Sequence, residues 1–218
     1  MYVYQQLHLE LGQLRQPNTL VQAQVLNRGG DNLTNLFASL TRSVQTDLTE
    51  RFCRLVPVFS DVYARPLAEG KHRLVFKDSW NESVWYEPGE VSDGSMLVLA
   101  FLALPYQSPA VDIIAIEEPE RGIHPFLLGK IIELLRSLSA GELGPKPVQI
   151  VLATHSAQLL EFARPEEVRF LSRNAEDGSI LIKETPTATP EWEEAFEEYS
   201  RSLGSAWLSG GLGGVPAG

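Results

Sequence analysis

Two short apolar runs, each broken off by polar residues, constrain this chain more than any other feature. Ile113-Ile114-Ala115-Ile116 stops at Glu117-Glu118-Pro119-Glu120, and residues 148–153 stop at Thr154-His155-Ser156. Runs of this length are strand-like, and near-continuous apolarity is the pattern of strands buried on both faces. Residues 125–139 lie between them, with apolar side chains at helical spacing and Gly141 just beyond. Helix, buried strand, helix, buried strand predicts an α/β fold with a mostly parallel sheet flanked by helices.

The rest of the pattern is consistent with that core. Residues 1–12 alternate apolar and polar, as a strand does. Asn27-Arg28-Gly29-Gly30-Asp31-Asn32 is turn-like, and Asp31 or Asn32 can cap a helix carrying Leu33, Leu36, Phe37 and Leu40, which is expected to continue to about Leu55. Strands are predicted at 73–77 and 83–87, an apolar helix from Ser92-Asp93-Gly94-Ser95 to Leu104, and a short helix at 156–163. A hairpin is expected around Asp177-Gly178. An acidic helix at 191–202 and an irregular glycine-rich end, including Gly210, Gly211, Gly213 and Gly214, complete the pattern. Three segments are expected: 1–90 leading into the centre, 91–188 as the core, and 189–218 as helix and tail.

Composition excludes several classes. With 44% hydrophobic and 21% charged residues, the chain is globular rather than disordered. No apolar run reaches the roughly 18 residues of a membrane span, and no secretory leader pattern opens the chain, so no membrane partner and a cytoplasmic location are expected. The lone Cys53 rules out an internal disulfide framework or a cysteine-based zinc site. A net charge of -10 argues against this chain as the main nucleic-acid contact, so DNA is expected to be reached only through an assembly.

Three constellations can carry chemistry. Three carboxylates within four positions at the end of a buried strand are costly unless a cation or proton relieves them. Ligands of open α/β sheets bind just outside such strand ends, which suits a hydrated Mg²⁺ beside a nucleotide and a base that orients water. A solvated acidic junction is the alternative. His155, directly after an apolar strand, can donate to a phosphate oxygen, or simply cap and pack the following helix. Ser92, Gly94 and Ser95 at a helix start offer hydroxyls and free N–H groups to an anion, or form an ordinary N-cap.

Taken in this order, the three resemble one family: ABC-type ATPase heads of the RecF/SMC-like, OLD-like kind. The Ser92–Ser95 segment looks like the signature motif, residues 113–125 like the extended Walker B and D-loop, and Ala153-Thr154-His155-Ser156 like the H-loop. The resemblance implies a partial P-loop NTPase fold with a helical signature subdomain. By position, it makes Glu117 the Mg²⁺-coordinating acid and Glu118 the catalytic carboxylate. His155 becomes the γ-phosphate sensor, and Ser92, Gly94 and Ser95 contact nucleotide held by a partner head. Glu120, Arg121, Gly122 and His124 belong to the D-loop, which crosses the interface of a homo- or heterodimer. The cofactors implied are ATP and Mg²⁺, and the processes are DNA repair or defence against foreign DNA.

One part of the family pattern is missing from the 218 residues: no Gly-x₄-Gly-Lys-Ser/Thr occurs. Gly70-Lys71 is followed by His72, and Gly129-Lys130 by Ile131. A Walker A lobe is therefore expected from elsewhere, with the chain a fragment, a split subunit or a remnant. In the family the P-loop strand lies beside the H-loop strand, so residues 148–153 would otherwise form an exposed sheet edge. Any nuclease activity is expected to belong to an effector partner. Two other readings stay open: a non-catalytic interaction module, and a metal-dependent hydrolase built on Glu117, Glu118 and Glu120.

Overall fold

Residues 3–174, 176–185, 187, 192, 196–199 and 201–210 are described by the computed structural model. In chain order the first elements are β1 (Tyr4–Leu7), α1 (Leu11–Leu14), β2 (Asn18–Thr19), α2 (Leu33–Ser39), α3 (Arg42–Leu55), β3 (Phe59–Pro66), β4 (Lys71–Asp78) and β5 (Trp85–Tyr86). Then come α4 (Asp93–Ala103), β6 (Ile113–Glu117), α5 (Pro125–Ala140) and β7 (Gln149–Ala153). The chain falls into two compact units, Met1–Thr154 and His155–Gly218.

The first unit is built on a parallel sheet ordered β1-β6-β7. Register places Gln5, Leu7, Ile114 and Ile116 on one face, and all four are buried. Helix α4 closes the core: residues 94–103 are buried throughout, the mark of a helix surrounded by protein. The opposite face carries Tyr4, Ala115 and Val151, with Tyr4 59% and Val151 48% exposed. The two-sided burial expected for the strand runs is thus corrected. Strand β6 alternates in burial, and β7, whose only partner among the described residues is β6, shows no fully buried position.

An antiparallel sheet, β2-β4-β3 with β5 on β4, stands beside this core. Phe59 and Phe76 from that sheet stack with Phe52 of α3, at 5.4–5.9 Å between ring centroids. The single helix expected from Leu33 to Leu55 is two, separated at Leu40-Thr41 where both residues are extended. Strand β3 falls where no strand was expected.

Two polar devices fix this unit. Gln5 and Gln107, both buried, bond to each other in both directions, and Gln107 Oε1 also accepts the Leu26 N–H at 2.7 Å while Gln5 donates to the Leu26 carbonyl. Asp112 gathers the starts of all three parallel strands. Its carboxylate accepts from the Val3 N–H (2.7 Å) and Lys146 (2.5 Å), its N–H donates to Val3, and its carbonyl accepts from Gln149. The Lys146 hydrogen bond, then that of Val3, holds the Asp112 carboxyl below the usual carboxylate range.

The second unit comprises α6 (Ala157–Leu160), the antiparallel hairpin β8 (Arg169–Arg173) and β9 (Ile180–Glu184), and α7 (Leu203–Leu208). Leu160, Phe170, Trp192 and Leu203 form its core. The hairpin expected around Asp177-Gly178 is present. The expected acidic helix falls partly, and the residues from Gly211 onward wholly, outside the described residues. Among those residues no helix is long and apolar enough to cross a membrane.

Replacing Gln107 by Ala removes the partner of the Leu26 N–H and of Gln5 Oε1 in the interior, and is expected to cost about 1–3 kcal/mol in urea unfolding. A lowered folded-state pKa means that Asp112 stabilises fully above the ordinary carboxylate value, and that this contribution is lost as pH falls through the folded value. Asp112→Asn is therefore expected to melt below wild type at pH 7, and the two melting curves to converge in acid, below about pH 4.

Candidate functional site

Strands β1, β6 and β7 run the same way, so their C-terminal ends meet at one edge, the usual ligand position in such sheets. Strand β6 delivers Glu117 there, half-buried. Gln6 Nε2 donates to its Oε1 at 2.5 Å, the Arg28 guanidinium lies 3.5 Å from the same oxygen, and His8 Nδ1 is 3.1 Å from Oε2. The His8 contact has ion-pair distance without hydrogen-bond alignment. Sequence reading missed all three partners. Gln6 and His8 become visible only once 4–7 is known to pair in parallel with 113–116, and Arg28 only once its turn is placed against β1.

Glu118 turns the chain out of the sheet. Its N–H donates to the Ala153 carbonyl at 2.8 Å, tying the end of β6 to the end of β7. Its φ of 45° is left-handed, a conformation that costs a non-glycine residue of order 1 kcal/mol or more and clusters at functional sites. The side chain is 43% exposed, 3.9 Å from Arg121. Glu120 turns inward: Oε1 accepts from Thr154 Oγ1 at 2.6 Å, while Oε2 is buried without a partner. The three carboxylates thus have three different settings: one attended by Gln6, His8 and Arg28, one strained and open, one bonded to Thr154 just past the end of β7.

The start of α4 packs on the loop that follows. Ser92 caps the helix, accepting the Ser95 N–H at 3.2 Å, and the two hydroxyls lie 2.7 Å apart. Ser92 is exposed but Ser95 is buried. A Cβ at Gly94 would stand 3.0 Å from the Gly122 carbonyl, and Gly122 has φ +79°, so this contact requires glycine on both sides. Arg15, unremarked in the sequence, bonds the Pro88 and Val91 carbonyls (both 2.9 Å) and the Asp93 carboxylate (2.5 Å), clamping the loop that leads into the helix. Arg121 is exposed, and His124 caps α5, its Nδ1 accepting from the Phe126 N–H at 3.3 Å. His155 is exposed and opens the second unit.

The donor set suits one kind of metal. Among the described residues no group of three or more His, Cys, Asp or Glu side chains could hold an ion unaided. Mg²⁺ on a nucleotide needs only one or two protein carboxylates, the phosphates and water completing its shell. Glu117, at the strand ends with the Arg28 guanidinium 3.5 Å away, meets that requirement. A hydrolase whose metal rests on Glu117, Glu118 and Glu120 alone is not supported.

Comparison with known proteins bears on family and fold. The profile of a family described as "AAA domain, putative AbiEii toxin, Type IV TA system" matches residues 8–161. No curated protein matches the chain. Among solved structures, one from work on ATP-driven dimerization and DNA-stimulated activation of SMC ATPases is similar at 14% identity with a TM-score of 0.50, covering 77% of this chain and 97% of that one. An SMC head bound to the C-terminal winged-helix domain of ScpA is similar at 11% identity with a TM-score of 0.53, covering 82% of this chain and 54% of that one. At these identities the likeness is one of fold, an ATPase head of SMC type with a parallel sheet flanked by helices. By the match across 8–161, the chain belongs to this AAA-domain family.

Proposed function

We propose that this chain is the C-terminal part of an ABC/SMC-like ATPase head, which binds and hydrolyses ATP with Mg²⁺ once a Walker A lobe is joined to it, in DNA repair or defence against foreign DNA. One observation carries the reading: three parallel strands end together at Glu117 and Glu118, while among the described residues of the first unit β7 has no partner on its outer edge and Tyr4 and Val151 on one sheet face are exposed. An exposed edge of this kind is a template for another strand, and an apolar face of an α/β sheet is normally covered by a helix. A Walker A lobe supplies a strand, a helix and the phosphate-cradling loop in one piece.

In this reading Glu117 is the protein ligand of Mg²⁺, which when bound neutralises charge on the transferring phosphoryl group. Glu118, open to solvent on its strained backbone, orients the attacking water and accepts its proton. His155 donates to the γ-phosphate. Ser92, Gly94 and Ser95 meet nucleotide held by a second head. Glu120, Arg121, Gly122 and His124 lie along the shared interface. The ATP-driven dimerization of the SMC ATPases to which this chain is similar supports a two-headed assembly, homo- or heteromeric; an effector nuclease and DNA would join through it.

A second reading, a non-catalytic docking module, is favoured by the same Glu117: its carboxylate is already engaged by Gln6, His8 and Arg28. Adding Mg²⁺-ATP to the isolated chain is expected to leave its melting temperature unchanged; a tight-binding shift contradicts the need for a separate lobe. With a lobe bearing Gly-x₄-Gly-Lys-Ser/Thr from the adjacent coding sequence supplied, ATP turnover is expected, and Glu118→Gln should lower it by about 10²–10⁴-fold while nucleotide binding persists. A stable complex with no turnover selects the docking module instead.

A further inference from the structure

Glu117 does not wait bare for a metal, and its three attendants are chemically unlike one another. Gln6 is neutral and close, 2.5 Å from Oε1, so it orients the carboxylate without competing for its charge. Arg28 is a permanent cation on the same oxygen, at 3.5 Å and with its side chain 63% exposed. Such a pair is loose, and a divalent ion can displace it.

The backbone under Arg28, by contrast, is fixed. The Arg28 carbonyl accepts the His8 N–H at 2.9 Å, and the Gly29 carbonyl accepts the Glu10 N–H at 3.0 Å. Gly30 has φ +82°, and a Cβ there would stand 2.4 Å from Leu14 Cδ2, so the turn is pressed onto α1. Only the side chain of Arg28 is free to move, and wherever it swings it stays near the strand ends.

We propose that Arg28 is the resident counter-ion of Glu117, which a divalent metal must displace and which is thereby released, as a positioned cation, toward the anion that arrives with the metal. This rests on the assignment of Glu117 as the metal acid. Arg28 is then a positioning residue that sets the metal affinity of the site. It keeps the carboxylate paired when no metal is bound, and it couples metal entry to the appearance of a free guanidinium beside the phosphates.

The test uses the full chain and Mn²⁺ alone, with bound metal read from the loss of the free-Mn²⁺ paramagnetic resonance signal. Glu117→Gln is expected to weaken binding. Arg28→Gln and the near-isosteric Arg28→Met are expected to tighten it by about twofold to fivefold at low ionic strength, and the gain should fade in high salt. Arg28→Lys should stay close to wild type. Arg54→Gln, which removes an exposed charge on α3, should leave affinity unchanged; a gain equal to that of Arg28→Gln would reduce the effect to net charge and overturn the proposal. If Glu117→Gln weakens Mn²⁺ binding but neither neutral Arg28 variant strengthens it, the counter-ion role fails and the metal assignment stands. If Glu117→Gln changes nothing, metal does not enter at Glu117 ahead of phosphate and the counter-ion role is overturned, while the assignment of Glu117 as a ligand of nucleotide-bound Mg²⁺ is decided by the turnover assay with the lobe supplied.

Discussion

The parallel pairing of β6 with a strand on each side is what the rest of the first unit depends on. Asp112 locks the three strand starts together, and the Glu118 N–H locks two of the ends. Between those ties the register has no freedom, since a slip by one residue would exchange the buried Gln5, Leu7, Ile114 and Ile116 for the opposite face. A sheet so registered must bring its acidic residues out at one edge. Like charges gathered at the mouth of an apolar sheet then have to be relieved, which accounts for the Arg28 guanidinium and the Gln6 amide beside Glu117 and for the inward turn of Glu120 toward Thr154.

How much of this could be read beforehand divides along physical lines. Strand β6, helices α4 and α5 and the hairpin β8–β9 announce themselves because local pattern and tertiary role agree: short apolar runs, a serine N-cap, a glycine stop, an Asp-Gly turn. Strand β7 was legible as a strand but not in its burial, because continuous apolarity reports what a strand is built to be covered by, and here one side and one face remain open. Strand β3 was missed. Its sequence runs Phe59-Ser60-Asp61-Val62-Tyr63-Ala64-Arg65-Pro66, with an irregular register between Phe59 and Asp61 and a proline at its end, so no clean period of two survives. The break between α2 and α3 carries only Leu40 and Thr41, too little punctuation to interrupt a helical pattern on paper.

The site follows the same division. Glu117, Glu118, Ser92 and Gly94 were identifiable because their chemistry sits in contiguous motifs. Gln6, His8, Arg15 and Arg28 were not, because each acts on a residue some 70 to 110 positions away, and nothing in their own neighbourhoods marks them. Nor was the left-handed backbone at Glu118 foreseeable, since glutamate has no preference for it; the conformation is imposed by the need to leave the sheet while the N–H stays bonded to Ala153.

The open edge of β7 and the paired state of Glu117 bear on one question: what state the site occupies before nucleotide arrives. An edge with no partner strand among the described residues and an exposed Val151 favours joining another strand, whereas a carboxylate already beside the Arg28 guanidinium gains less from a metal than a bare one would. Assembly and metal binding are therefore separable steps. Pairing at β7 adds backbone hydrogen bonds and apolar burial without disturbing Glu117, while metal entry must first break the protein's own ion pairs. If the chain works as proposed, that ordering would make a joined but metal-free head a stable state, and would leave the commitment to hydrolysis to the arrival of phosphate and metal together, when the displaced guanidinium would have an anion to meet.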